Sequence, residues 1–356
     1  MKKNWFEDKV KKFSSIGGYQ KPELIQDAVK LDSNENYVIP KQFQSDILSS
    51  AKKNSDIREY PLGGVERLID AISKFVNMPS SMIGVGNGSD QILDLILSNF
   101  ASKQTKVLTS NPTFGFFEER CKLYDIPFIA IPFLDNMKLD IQDFLKQSKN
   151  ADILYLDSPN NPTGFQFPKN DLQKLVKSFD GLIIIDEAYG EFSEYSLTNM
   201  VKTQENLIIV QTVSKSFGMA GLRLGYFIAS KKFTNAFMSV LQYPYPISTM
   251  SIESGIDALQ KSNIMRNAVD EIKVERKRII ENLQKYDSFE VFDSKANFVL
   301  FNAHGSYKRV HSALTEQGIS IRKLGKIGNH EGCLRVTIGT KEMNSKFLLA
   351  IRDLLG

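Results

Sequence analysis

Residues 153–164 read ILYLDSPNNPTG, in which an apolar run, Ile153 to Leu156, ends in the cluster Ser158-Pro159-Asn160-Asn161-Pro162-Thr163-Gly164. Four apolar residues without polar alternation suit a strand buried on both faces, and the Asn, Pro and Gly that follow are turn formers. The same punctuation recurs downstream. Leu182 to Ile185 gives way to Asp186-Glu187-Ala188-Tyr189, and Leu207 to Val210 to Thr212-Val213-Ser214-Lys215-Ser216-Phe217, with Arg223 a little later. Ligands of open α/β sheets bind outside the carboxyl ends of the strands, so these polar clusters are expected to converge on one sheet edge.

Outward from this core, short β-branched runs alternate with amphipathic stretches from about Met82 to Ser230, which predicts a mostly parallel sheet flanked by helices. Further strands are expected at Lys106 to Thr109, Phe128 to Pro132 and Tyr226 to Ala229. After Tyr243-Pro244-Tyr245-Pro246, a periodic stretch from Ser251 to Tyr286 reads as one long helix. A smaller α+β segment follows, with strands expected at Phe289 to Phe292, Asn297 to Phe301, Ile319 to Arg322 and Cys333 to Ile338, and a helix near Ser345 to Leu354. The expected division is an N-terminal arm with part of a small domain over 1–45, a large domain over 46–248 and a small domain over 249–356.

The 356 residues exceed a comfortable single core, which agrees with a large domain plus a smaller one. With 42% hydrophobic and 24% charged residues and no low-complexity tract, the composition is that of a globular protein. The net charge of +4, spread over 45 basic and 41 acidic side chains, argues against a nucleic-acid partner. Cys121 and Cys333 lack metal or redox spacing, and His304, His311 and His330 form no HExxH-like pair, so no metal site is expected. No apolar run reaches the ~20 residues of a membrane span, and the N-terminus has no signal-peptide pattern; a cytoplasmic protein without a membrane partner is the expectation.

SPNNPTG, DEAY and SKSFGMAGLRLGY, in this order, resemble the motifs of fold-type I pyridoxal-phosphate aminotransferases, and the similarity extends over essentially the whole chain. The resemblance implies a large domain with a mostly parallel seven-stranded sheet, a smaller α+β domain, pyridoxal 5′-phosphate as cofactor, small-molecule substrates and a homodimer. It makes Lys215 the residue that holds the cofactor as a Schiff base, and sets Asp186 against the pyridine nitrogen. Asn161 and Tyr189 contact the ring's phenolic oxygen by the same resemblance. Ser214, Arg223 and Gly88-Ser89-Asp90 hold the phosphate, and Phe114 matches the aromatic position that stacks on the ring.

The chemistry asks for such residues independently of the family. A Schiff-base lysine must lose its proton, and nearby positive charge, here Arg223, lowers its pKa. Once displaced, the same amine can move a proton from the substrate's α-carbon. A carboxylate such as Asp186 keeps a pyridine nitrogen protonated, so that the ring accepts electrons. Asn87-Gly88-Ser89-Asp90 precedes the apolar periodic run Ile92, Leu93, Leu95, Ile96, so amides at a helix start can face an anion. Taken singly, these residues have blander readings: a surface lysine, a capping aspartate, a turn, packing aromatics. Their common placement after strands outweighs those readings. Gly84-Val85-Gly86-Asn87-Gly88 lacks the third glycine of a dinucleotide fingerprint.

LDSNEN (31–36), REYP (58–61) and CLRVTIGT (333–340) resemble histidinol-phosphate aminotransferases among the fold-type I enzymes. That resemblance implies transfer of an amino group from L-histidinol phosphate to 2-oxoglutarate. Arg335 matches the arginine that grips the substrate's anionic end, and a guanidinium fork suits carboxylate or phosphate. Asn34, Arg322, Tyr19 and Tyr60 match further substrate positions, Tyr60 from a neighbouring subunit. Relatives continue the Asn-Glu-Asn motif with Pro and a glycine-containing turn, whereas Asn36 here leads into Tyr37-Val38-Ile39-Pro40. A threonine-phosphate decarboxylase and an aromatic amino-acid aminotransferase are the alternatives within the fold. A regulator built on the same fold would carry a DNA-binding extension, for which the chain has no spare hundred residues.

Overall fold

A computed structural model describes residues 2–16 and 25–355. In chain order the strands are β1 (Val29–Leu31), β2 (Ile83–Asn87), β3 (Val107–Asn111), β4 (Phe128–Pro132), β5 (Ile153–Asp157), β6 (Leu182–Asp186), β7 (Leu207–Thr212), β8 (Leu224–Ile228), β9 (Glu290–Val291), β10 (Phe298–Asn302), β11 (Ile319–Ile327) and β12 (His330–Thr337). Seven of them form the large sheet, in the order β2-β8-β7-β6-β5-β3-β4. β8 runs antiparallel to both its neighbours and the other pairings are parallel. The unbroken apolar runs behave as expected of doubly covered strands: β5, β7 and β8 are buried along their whole length.

Helices cover the sheet because each presents an apolar stripe. The helix Gly88–Phe100 buries Ile92, Leu93, Leu95, Ile96 and Leu97, and Lys169–Ser178 buries Leu172, Leu175 and Val176. The small sheet has the order β1-β11-β12-β10-β9, in which only β1 and β11 pair in parallel. Thus a segment near the start of the chain joins one formed by its last quarter.

The structure differs from the sequence expectations in four places. β2 was not expected because Gly84 and Gly86 interrupt its apolar run. Both glycines answer to crowding, since a Cβ at Gly84 would lie 2.2 Å from the Phe227 ring and one at Gly86 2.7 Å from Ile92. The stretch expected as one helix is two, Thr249–Gln260 and Ser262–Leu283, separated at Lys261, whose φ of −100° and ψ of 29° leave the helical region. No Gly or Pro marks that break; the amide of Lys261 bonds back to Asp257 and Ala258, closing the first helix on itself. The strand expected at Phe289 to Phe292 pairs only at Glu290–Val291, and the last helix starts earlier than expected, at Lys341. Among the described residues, no helix is long and apolar enough to cross a membrane.

Candidate active site

Because β2, β3, β5, β6 and β7 run the same way, their carboxyl ends, Asn87, Asn111, Asp157, Asp186 and Thr212, share one edge of the large sheet. β8 runs in reverse, so Arg223, immediately before it, arrives at that same edge from the opposite chain direction. A cavity of ≈310 Å³ opens there, facing β11 and β12 of the small sheet, and Arg322 and Arg335 line it from that side. From the large sheet it is lined by Ser89, Asp90, Phe114, Asn161, Asp186, Tyr189, Ser214, Lys215 and Arg223, and Asn34 completes it beside β1. Twelve of the fifteen expected site residues therefore meet in one place.

The other three stand apart. Gly88 lies behind the wall as its support. Tyr60 is 70% exposed and stacks on Tyr245 at 4.2 Å between ring centroids, away from the cavity of its own chain. Tyr19 lies outside the described residues.

One end of the cavity is built for an anion. Gly88, at φ +77°, opens the helix Gly88–Phe100, and a Cβ there would come within 2.5 Å of the Arg223 guanidinium. Arg223 donates to Asp90 at 2.9 Å, which fixes its fork beside that helix start. The Ser214 hydroxyl accepts from Thr212 at 2.9 Å, and the Thr212 hydroxyl in turn accepts from the Ser214 amide. Thr212 is a cavity residue that sequence reasoning did not single out, although its place at the end of an apolar strand carried the signal.

The middle of the cavity holds the titratable groups. Lys215 donates to the backbone oxygen of Ser33 at 3.1 Å, and its amine lies 5.8 Å from the centre of the Tyr189 ring. Asp186 is buried and accepts from the Ala188 amide at 3.0 Å and the Tyr155 hydroxyl at 3.1 Å. Burial pushes its carboxyl up to about 7, with the negative charge of Asp157 adding to the shift and the two hydrogen bonds opposing it. Strand alternation sends Glu187 the other way, where it accepts from Ser196, Gln211 and the Leu197 amide as a buried structural anchor. Tyr189 accepts from the Asn34 side-chain amide at 2.8 Å, and burial pushes its hydroxyl up to about 12 despite the nearby Arg335.

The small-sheet wall is cationic. Arg335 is buried, donates to the Asn161 side-chain oxygen and, at 2.9 Å, to the backbone oxygen of Asp32, and lies over the Phe298 ring at 5.1 Å. Arg322 is its direct register partner on the neighbouring strand. The loop after Asn36, which departs from the resemblance, serves the fold: Asn36 donates to the backbone oxygen of Ser216 at 2.7 Å and Ile39 packs in the core.

A buried carboxylate, a lysine amine, a hydroxyl-bearing ring and an anion cradle, held within one cavity between two sheets, define a fold-type I pyridoxal-phosphate enzyme. The comparisons agree and narrow this. The model of aminotransferase class I and II matches residues 26–351, and the chain belongs to that family. A histidinol-phosphate aminotransferase from Pyrococcus furiosus is 34% identical over 326 residues, 91% of this chain and 92% of that protein. Histidinol-phosphate aminotransferase 1 from a Nostoc species is 32% identical, covering 99% of this chain and 98% of its own. The crystal structure of the histidinol-phosphate aminotransferase from Clostridium acetobutylicum matches with a TM-score of 0.83 at 29% identity, over 91% of this chain and 98% of that one. Aminotransferases of this family use pyridoxal 5′-phosphate, and the cavity fits it: the missing Cβ at Gly88 lets the Arg223 guanidinium stand against the helix start beside Ser89 and Ser214, where a phosphate is expected, and the buried Asp186 offers a carboxylate partner for a protonated ring nitrogen.

Proposed function

We propose that this aminotransferase moves the amino group of L-histidinol phosphate to 2-oxoglutarate, giving imidazole-acetol phosphate and L-glutamate. The observation that carries this reading is the pairing of Arg322 with Arg335 across β11 and β12, both lining the cavity that holds Lys215. Like charges directly opposite on neighbouring strands repel. A substrate carrying a dianionic phosphate relieves that repulsion, and the carboxylates of glutamate and 2-oxoglutarate occupy the same cations in the other half-reaction. The full-length similarity to histidinol-phosphate aminotransferases supports the same choice.

When bound, pyridoxal phosphate supplies an electron-accepting ring that stabilises charge left at the substrate carbon. The remaining work falls to side chains. Lys215 would hold the cofactor and, once freed by the incoming amine, its Nζ would take and carry the proton that leaves the substrate's α-carbon. Asp186 holds a proton on the ring nitrogen. Asn161 and Tyr189 orient the ring oxygen, and Phe114 covers one ring face without a hydroxyl of its own. Ser89, Ser214, Arg223 and the backbone around Gly88 and Asp90 hold the phosphate. Arg335 and Arg322 hold the substrate's anionic end and Asn34 borders it. Tyr60, solvent-facing in one chain, serves the cavity of a second copy in a homodimer, and Tyr19 belongs to the same substrate set.

Purified protein supplied with histidinol phosphate and 2-oxoglutarate should form glutamate stoichiometrically with loss of the phosphorylated amine. Carbon dioxide release from threonine phosphate, or glutamate formed only from aromatic amino acids, would replace this reading with one of the two alternatives. Lys215→Ala should abolish turnover and the visible absorption of the bound cofactor.

A further inference from the structure

Asp157 ends β5 and Asp186 ends β6, and the two are direct register partners on parallel neighbours, so that both side chains point into the same cavity. Both are buried, at 7% and 3% exposure, which puts two carboxyl groups side by side where water cannot screen them. Their surroundings differ. Asp157 accepts three hydrogen bonds, from the Asn161 amide at 2.8 Å, the Asn160 side-chain amide at 2.9 Å and the Thr113 hydroxyl at 3.1 Å. Asp186 accepts two, from Tyr155 and the Ala188 amide. Donors aimed at a carboxylate favour its charged form, so of the pair Asp157 is the better held as an anion.

We propose that Asp157 is a positioning residue that acts through Asp186: its buried negative charge, beside Asp186 on the adjacent strand, strengthens the hold of Asp186 on the ring-nitrogen proton of the cofactor. The inference rests on the assignment of Asp186 to that nitrogen. A single carboxylate against a pyridine nitrogen shares its proton with a group of similar proton affinity. A second negative charge in the same low-dielectric pocket makes removal of that proton harder, so the electron-accepting form of the ring persists to higher pH. The other groups facing the pair supply less of this charge or none. Tyr155 is a neutral donor whose hydroxyl is held far above its ordinary range by burial, and Asp90, at the start of the helix Gly88–Phe100 and paired with Arg223, adds less negative charge at Asp186 than Asp157 does. Lys215 lines the cavity from the large sheet and Arg335 from the small one, and positive charge on either acts in the opposite sense. Burial pushes Asp157 itself to about 6, so it is ionised at neutral pH and above.

The test is nitrogen NMR of the full-length holoenzyme loaded with cofactor carrying ¹⁵N in the ring, followed from pH 6 to 10, for the native protein, Asp157→Asn and Thr113→Val. The native signal should stay at the protonated position across the range. In Asp157→Asn it should move toward the deprotonated position within this range, and Thr113→Val, which removes one donor and keeps the acid, should shift it less in the same direction. Thr113→Val carries the test if Asp157→Asn does not fold. A native-like pH response in a folded Asp157→Asn, or in Thr113→Val where that variant carries the test, overturns the role of Asp157. A native signal at the deprotonated position overturns instead the assignment of Asp186, which keeps the two failures apart.

Discussion

Asn34 donates its side-chain amide to the Tyr189 hydroxyl at 2.8 Å, and this bond joins the two sheets across the cavity. Asn34 belongs to the small-sheet side: its amide donates to the Thr337 hydroxyl at 2.9 Å, that hydroxyl donates back to its side-chain oxygen, and its backbone oxygen accepts from Asn297. Tyr189 follows β6 of the large sheet. Asn34 adopts φ 57°, a left-handed conformation that asparagine tolerates better than most residues. Replacing it with Ala removes the tie and strains the backbone. Asn34→Ala is expected to lower kcat/KM by about 10- to 100-fold, the effect of losing a buried hydrogen bond or two, with cofactor content nearly unchanged. Steady-state kinetics alongside the absorption spectrum checks both halves.

The arginine pair gives a second expectation, in which the two members part. Arg335 donates with two nitrogens to neighbours while lying over Phe298, so Arg335→Lys loses the fork as well as the stacking. It should raise KM for both the phosphorylated amine and 2-oxoglutarate by about 100-fold. Arg322→Gln should raise KM for the dianionic amine more than for the oxo acid, because it removes one charge from the pair. Equal losses for both substrates would assign Arg322 to the fold alone.

Gly88 supports the anion cradle by having no side chain. At φ +77°, with the Arg223 guanidinium 2.5 Å from where a Cβ would stand, Gly88→Ala must displace Arg223 or rotate the helix start. Cofactor affinity should fall by about tenfold or more, consistent with ~1–3 kcal/mol of backbone strain and lost contact. Equilibrium dialysis of pyridoxal phosphate measures it.

Buried acids also set how stability depends on pH. Burial raises Asp157 to about 6, and Asp186 and Glu191 to about 7. Their folded values lie above the ~4 of an unfolded carboxyl, so the folded chain binds more protons in this window. Stability from these groups is fully present below about pH 4 and is lost as pH rises through about 7. The cofactor-free protein should melt at lower temperature at pH 8 than at pH 5.5. Glu191→Gln, which takes the acid outside the cavity out of the count, should flatten that slope and raise the melting temperature at pH 8 by roughly 2 °C or more. Scanning calorimetry at a series of pH values decides it, and a melting temperature that climbs from pH 5.5 to 8 would reverse the sign.

How much of this was legible beforehand follows from which signals are local. The runs at β5, β6 and β7 are apolar throughout and end in polar clusters, so both the strands and their shared functional edge were readable from residue order. β2 was hidden because the contacts that demand Gly84 and Gly86 come from Phe227 and Ile92, one of them far along the chain. The break at Lys261 has no turn residue to announce it. Asp157 stood in plain sight between a strand and a turn, where Asp is ordinary; what distinguishes it is Asp186 on the adjacent strand, a relationship that exists only once the sheet has formed. Arg322 and Arg335 were each recognisable, but their opposition depends on the register of β11 against β12, which contains bulges.

The most direct measurement mixes the holoenzyme with histidinol phosphate alone, without an oxo acid, and follows the visible absorption of the lysine-bound cofactor through one half-reaction. The band should disappear within a single turnover, one equivalent of imidazole-acetol phosphate should form, and 2-oxoglutarate should restore the band as glutamate appears. A band that histidinol phosphate leaves unchanged, in protein whose spectrum responds to another amine, would contradict the assigned substrate.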